Sequence, residues 1–174
     1  MGCDIHQYNL IYDTGLYFRT GAVTDQESYS EDDECYYSCS KIPELVPYRN
    51  YFIFGVLAGV RSADFEITKD RHDCYPSALS KQDLALISDD RHSPVWYYCP
   101  KLLAQLQETE KKMKRRMAAL RRTEPYFNGS ADEEEFEYEI DAVKELITKL
   151  KESRKKFTSM ESWEKSIILF NFDS

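Results

Sequence analysis

Three side chains of chemically reactive types lie within four positions of each other, near the start of the chain: Cys3, Asp4 and His6. They lead into a segment that is predicted to form a strand over 3–12. Alternation along this strand would place Asp4, His6 and Tyr8 on one face and Cys3 on the other. An acid, an imidazole and a phenol in a row indicate either a polar site or a solvated sheet surface. Cys3 is better explained as a small buried residue.

The chain has two other histidines, His72 and His92, and each has arginine and aspartate within three positions. For His92 these neighbours are Arg91 and Asp90. Arginine can hold a phosphate group, while histidine and aspartate can supply acid–base function or bind a divalent metal. A solvated loop explains such residues equally well for His72, so His6 and His92 are the preferred candidates. The sequence contains no glycine-rich phosphate loop, HExxH motif or nucleophile elbow.

The composition predicts one globular domain over 1–174, because 42% of the residues are hydrophobic and no apolar run is long enough to cross a membrane. Residues 1–100 carry 8 Lys/Arg and 16 Asp/Glu, whereas 101–174 carry 15 of each. The net charge of −8 therefore belongs to the first hundred residues. It argues against nucleic acid as a direct partner and fits metal binding, a basic protein partner, charge mimicry or a plain solvated surface.

Five irregularly placed cysteines without a secretory signal predict a reduced, cytoplasmic protein. Cys35 and Cys39 have a spacing seen in zinc sites but lack a second ligand pair, and they fall in an acidic loop over 25–41. The start of the chain is similar to an acylation signal, but that signal requires serine or threonine where His6 stands. Lipidation is therefore not expected.

The first half of the chain is predicted to be mostly strand and loop. The strand over 3–12 returns through a turn at 13–15 into a second strand over 16–23, which makes a hairpin. Residues 62–95 are rich in loop signals, with a short helical turn at 79–84.

One buried helix is predicted over 49–60, between Arg49 and Arg61. Gly55 and Gly59 lower its helix propensity, and their spacing puts both on one helix face. We interpret them as positions of close packing against the sheet.

The second half is predicted to be a helical hairpin over 101–157, inserted before a last strand at 166–173. Apolar residues recur at helical spacing on both arms, and Ser130 with Glu133 has the spacing of a capping box. Amphipathic stripes of this kind usually mark core packing, so the hairpin is interpreted as scaffold. The predicted fold is α+β: a small, mainly antiparallel sheet made of the N-terminal hairpin and the C-terminal strand, one packed helix, and the long antiparallel helical hairpin.

Four segments of the chain resemble a family of small, uncharacterised proteins encoded by bacteriophages and prophages. The specific one is Met-Gly-Cys-Asp-Ile-His at 1–6. Residues 49–61, 90–96 and 168–173 resemble the family's central block, its histidine-serine-tryptophan block and its terminal hydrophobic strand. The resemblance implies a phage origin, the host cytoplasm and a shared polar site. Members of the family often carry a second histidine and an acid where this chain has Tyr8 and Leu10, so a metal site of that type would lack two ligands here.

The leading hypothesis is a site for a phosphorylated ligand, such as a nucleotide, that a phage protein sequesters or hydrolyses. His6, His92 and Asp4 are the candidate catalytic residues, with the histidines as acid–base groups or ligands of a divalent metal. The candidate ligand-binding residues are Arg49, Tyr51, Arg61, Arg91, Asp90 and Tyr8. The alternative is a non-catalytic acidic inhibitor that binds a host defence protein, with its charge imitating nucleic acid.

Overall fold

The structure, a computed structural model, describes residues 5–21, 41–46, 50–59, 64–88 and 92–172. These residues form one four-stranded antiparallel sheet and five helices. The predicted α+β fold, with its helical hairpin, is confirmed. In the described part of the chain, no helix is long and apolar enough to cross a membrane.

The sheet has the strand order β2-β1-β4-β3. Its strands are β1 (Ile5–Asp13), β2 (Leu16–Gly21), β3 (His92–Tyr98) and β4 (Ile167–Phe172). The C-terminal strand is central and, as predicted, shares a sheet with the N-terminal hairpin, to which it pairs through β1. All six residues of β4 are buried, which accounts for its nearly continuous apolar sequence.

The turn of the β1–β2 hairpin lies where the sequence places it. Thr14 and Gly15 both have positive φ values, 49° and 86°. Two consecutive residues of this kind form the type I′ turn, whose twist matches that of two antiparallel strands. Asp13 and Leu16 are therefore paired directly on either side of the turn.

The five helices are α1 (Tyr51–Ala58), α2 (Lys81–Ser88), α3 (Cys99–Thr123), α4 (Ala131–Lys156) and α5 (Met160–Lys165). The helices α3 and α4 pack against each other as the predicted hairpin. The Ser130 hydroxyl accepts a hydrogen bond from the Glu133 backbone at 3.2 Å, so the predicted cap of α4 is confirmed.

The two faces of the sheet are covered by different parts of the chain. The face that carries Ile11, Ile168 and Phe170, here called the helical face, belongs to the main core with residues of α1, α3, α4 and α5. The face that carries Leu10, Trp96 and Leu169, here called the loop face, packs against residues from the 75–87 segment, including α2. Because described residues cover both faces, the sheet is an interior layer.

Polar side chains on the helical face have a structural purpose. The Gln7 amide donates to the Pro43 carbonyl at 3.1 Å and accepts from the Leu45 backbone at 2.8 Å. Asn9, fully buried, donates to the Ile42 carbonyl at 3.3 Å. These bonds fix the 41–46 segment against β1, and they satisfy amide groups that would otherwise be costly to bury.

Several predicted boundaries and one predicted role are wrong. The helix predicted over 49–60 is shorter, because Gly59 adopts φ 69° and caps α1 in the left-handed conformation. Gly59 is therefore needed for its backbone conformation rather than for packing on the sheet. The sheet was predicted with three strands, and neither β3 nor α5 was predicted.

Candidate functional site

Three chain segments meet at one end of the sheet, which we call the histidine end. Ile5 at the start of β1 pairs with Phe172 at the end of β4, and Phe172 pairs with His92 at the start of β3. Neighbouring strands lie about 4.8 Å apart, so the backbones of β1 and β3 are about 10 Å apart across β4. The register thus brings the strand starts that carry His6 and His92 to the same end of the sheet.

Helix α1 also begins at the histidine end. The Phe54 ring contacts the Phe172 ring edge-on, with centroids 6.2 Å apart. Tyr51, which is partly exposed, contacts Phe54 in the same manner at 5.7 Å. Tyr51, one of the predicted site residues, therefore lies beside the strand ends. Its ring contacts Phe54, which in turn contacts Phe172 of β4.

His6 and Tyr8 lie on the loop face of β1, as the predicted alternation requires. His6 is opposite Asn171 and Tyr8 is opposite Leu169. Both side chains are partly buried.

The neighbour of His6 on β4 is a rigid, fully buried amide. The Asn171 Nδ2 donates to the Tyr75 hydroxyl at 3.0 Å and to the Ile87 carbonyl at 2.8 Å. Its Oδ1 accepts from the Phe172 backbone at 3.2 Å. Asn171 therefore links α2 and the loop before it to β4 at the position beside His6. These hydrogen bonds fix the residues that would line a site at His6.

The start of β3 is irregular. The pairing with β4 shifts register between His92 and Val95, and Ser93 between them has a positive φ of 56°. A bulge re-aims side chains and interrupts the ladder, and bulges are frequent next to binding sites. The backbone at His92 is thus set apart from the regular strand that follows it.

The remaining predicted site residues lie outside the described residues: Asp4, Arg49, Arg61, Asp90 and Arg91. The same holds for Cys3, for the 25–40 part of the acidic loop and for the Cys35–Cys39 pair.

A preformed metal centre is not found in the part of the chain that the structure describes. No group of three or more His, Cys, Asp or Glu side chains there is arranged to hold an ion. Of the two cysteines in this part of the chain, Cys99 is buried and Cys74 is exposed.

His72 has a packing role on the loop face. Its ring stacks on the Trp96 ring with centroids 3.8 Å apart and an angle of 11°, and it meets Tyr98 edge-on at 6.3 Å. The backbones of His72 and Trp96 also exchange hydrogen bonds of 3.1 and 3.0 Å. His72 therefore attaches its loop to the edge of β3 that faces away from β4. The charged residues beside His72 in the sequence did not predict this packing role.

Arg71 is at the centre of a second polar cluster that was not predicted. Its guanidinium forms an ion pair with Glu66, and its Nε lies 2.8 Å from an Asp73 carboxylate oxygen. Nearby, the fully buried Tyr97 hydroxyl donates to the Leu57 carbonyl at 2.5 Å. Burial raises the pKa of Tyr97, so its hydroxyl remains a donor at any physiological pH. The cluster joins α1, its following loop and β3.

Comparison of the chain with protein-family models, with curated proteins and with solved structures gave no match.

Proposed function

We propose that this chain is a phage-encoded accessory protein that binds a nucleotide or another phosphoester at the histidine end of the sheet. The observation that supports the proposal is the register: Ile5, Phe172 and His92 are aligned across three strands, so two of the chain's three histidines belong to strand starts at the same end of the sheet, one on either side of β4. A separation of about 10 Å between the outer strands suits a ligand of nucleotide size.

The proposed roles follow from side-chain chemistry. His6 and His92 act as acid–base groups, or as ligands of a divalent metal that arrives with the phosphate. Tyr8 and Tyr51 offer aromatic surface and hydroxyls to the rest of the ligand. Asp4, Asp90, Arg49, Arg61 and Arg91 flank the described strand and helix ends in sequence, and they supply carboxylates and guanidinium groups. In the stronger form of the proposal the protein hydrolyses the ligand, and in the weaker form it sequesters it from host defence.

The experiment uses the small number of histidines. Imidazole signals of the ¹⁵N-labelled chain are recorded while ATP, GTP or inorganic phosphate is added, with and without Mg²⁺. We expect the His6 and His92 signals to move on nucleotide binding, while His72, stacked on Trp96, serves as the internal control. If no probe moves either signal, or if His72 alone responds, the proposed site is wrong.

Activity is tested separately with matched variants. Phosphate release from each nucleotide is compared for the unmodified chain, His6→Ala, His92→Ala and the control His72→Phe, which keeps an aromatic ring on Trp96. We expect the two alanine variants to lose binding and any turnover and the control to retain both. Full retention by folded alanine variants would exclude the site.

The charge distribution supports a second candidate function, an acidic inhibitor of a host defence protein. The whole net charge of −8 belongs to residues 1–100. Pull-down from host lysate at low and high salt tests it, because a partner held by charge mimicry is basic and is released at high salt. A lysate that yields no basic partner at low salt would count against inhibition.

A further inference from the structure

A groove of about 650 Å³ lies on the surface where α4 ends and α5 begins. Its charged and apolar lining residues are Lys151, Arg154, Lys155, Phe157, Met160 and Trp163. The groove is formed by helices that precede the start of β4, whereas the histidine end lies where β4 ends. None of the residues considered for phosphoester binding belongs to it.

The groove has an unbalanced positive charge. Within the described part of the chain, Lys151, Arg154 and Lys155 form no ion pair, and Arg154 instead directs its guanidinium to the Met160 sulfur at 3.8 Å. Other cations of the same two helices are neutralised by neighbouring acids, namely Lys144, Lys149 and Lys165. Interaction with the helix dipole favours cations in the last turn of α4, but Lys151 precedes that turn.

The floor of the groove is apolar. Phe157 and Trp163 meet edge-on with centroids 5.4 Å apart, and Met160 beside them is 51% exposed. Lys41, whose Nζ also pairs with Asp13 at 3.9 Å, lies 5.4 Å from the Phe157 ring centroid. A flexible, exposed thioether over an aromatic floor is a surface that adapts to apolar side chains of a partner.

The groove is elongated. A second hollow of about 240 Å³ shares Arg154, Met160 and Trp163 with it and continues to Pro100 and Leu103 of α3. The three cations form a row along one side of α4, and Lys151 and Lys155 are about 6 Å apart along the helix axis. Alternate side chains of an extended segment repeat at nearly the same distance.

From these observations we infer that the groove binds an acidic protein segment, extended along α4, that places an apolar side chain between Met160 and Phe157. Carboxylates of the segment pair with Lys151, Arg154 and Lys155. A nucleotide fits the groove less well, because Trp163 is only 2% exposed and offers no open ring face to a base.

The test uses fluorescence polarisation with a labelled synthetic peptide in which glutamates alternate with leucines around one phenylalanine. Two matched peptides replace the glutamates by glutamine or the apolar residues by serine. We expect the parent peptide to bind and both matched peptides to bind about tenfold more weakly or worse, because each loses one of the two complementary features. ATP and inorganic phosphate are added as competitors and should not displace the peptide.

The protein variants separate the groove from general electrostatic attraction. Lys151→Glu with Lys155→Glu should weaken binding about tenfold or more, whereas Arg115→Glu with Arg116→Glu, an equal charge change on the distal part of α3, should weaken it less than about twofold. Glutamates near the end of α4 oppose its dipole. Lys151→Gln with Lys155→Gln is therefore measured as well, and a thermal melt establishes that each variant is folded.

Four results would overturn the proposal. These are no binding of the parent peptide at low salt, equal loss in the groove and control variants, equal binding of the glutamine peptide, and displacement by ATP or phosphate at comparable concentration. The last would assign the groove to a small anion. His6→Ala leaves peptide binding unchanged, so failure here and failure at the histidine end are distinguishable.

Discussion

Gly59→Ala tests whether the loop after α1 is fixed by the Arg71 cluster. Gly59 has φ 69°, which an alanine adopts only with strain. An added Cβ would also lie 2.6 Å from the Glu66 Cδ atom, well inside van der Waals contact. The Glu66 carboxylate would have to move, and it is the group that pairs with Arg71.

The expected cost has two parts. The left-handed conformation costs about 1 kcal/mol for a residue with a Cβ. Displacing Glu66 weakens a charge-assisted hydrogen bond to Arg71, whose side chain is only 14% exposed, and this adds about 1 to 3 kcal/mol. We therefore expect Gly59→Ala to lower the free energy of unfolding by about 2 to 4 kcal/mol.

Urea denaturation of matched variants separates the two parts. Gly129→Ala is the control, since Gly129 has φ 73° with no atom within 4 Å of an added Cβ, and it should cost only about 1 kcal/mol. In a Glu66→Ala background, Gly59→Ala should cost no more than this control. If the two glycine variants agree within about 0.5 kcal/mol in the unmodified background, the Glu66 contact has no energetic role and the reasoning is refuted.

Three further predictions concern polar groups that the fold depends on. Tyr97→Phe leaves the buried Leu57 carbonyl without its donor and should cost about 1 to 3 kcal/mol in urea denaturation; an unchanged midpoint would contradict this. Gln7→Ala should abolish the slow hydrogen exchange of the Leu45 amide, whose acceptor is removed, while amides paired within β4 stay protected. A hydrogen bond from the Gly129 backbone amide, together with the Arg121 guanidinium, lowers the pKa of Glu133. The Glu133 carboxylate therefore stabilises the fold above the ordinary glutamate pKa. This contribution disappears as the pH falls through the lowered pKa. The stability difference between the unmodified chain and Glu133→Gln should therefore shrink in acid, and a constant difference would contradict the assignment.

The parts of the fold that follow local rules could be predicted from the sequence. Apolar spacing gave α3 and α4, a capping box gave the start of α4, and turn residues with alternation gave the first hairpin. The nearly all-apolar end of the chain predicted a strand of the same sheet, and such a run is typical of a strand covered on both faces. Each of these signals lies within a few residues of the element that it specifies.

The parts that depend on distant contacts could not. His72 looked like a loop residue because its neighbours are charged, yet its ring stacks on Trp96, which lies 24 positions further along the chain. Gly59 looked like a packing position because spacing along a helix does not reveal where the helix ends. For the candidate site, alternation correctly put His6 and Tyr8 on one face. The alignment of His92 with the same end of the sheet depends on how β1 and β3 each pair with β4. No local pattern in β1 or β3 encodes that pairing.

The central strand runs between the two proposed surfaces. The six residues of β4 span about 20 Å, from α5 beside the basic groove to Phe172 at the histidine end. Every residue of the strand is buried and paired with β1, and all but Asn171 are also paired with β3, so the strand is a rigid spacer rather than a hinge. Close packing of this kind holds the two proposed surfaces at fixed positions relative to each other. We therefore expect the two surfaces to bind independently, with each affinity set by its own residues.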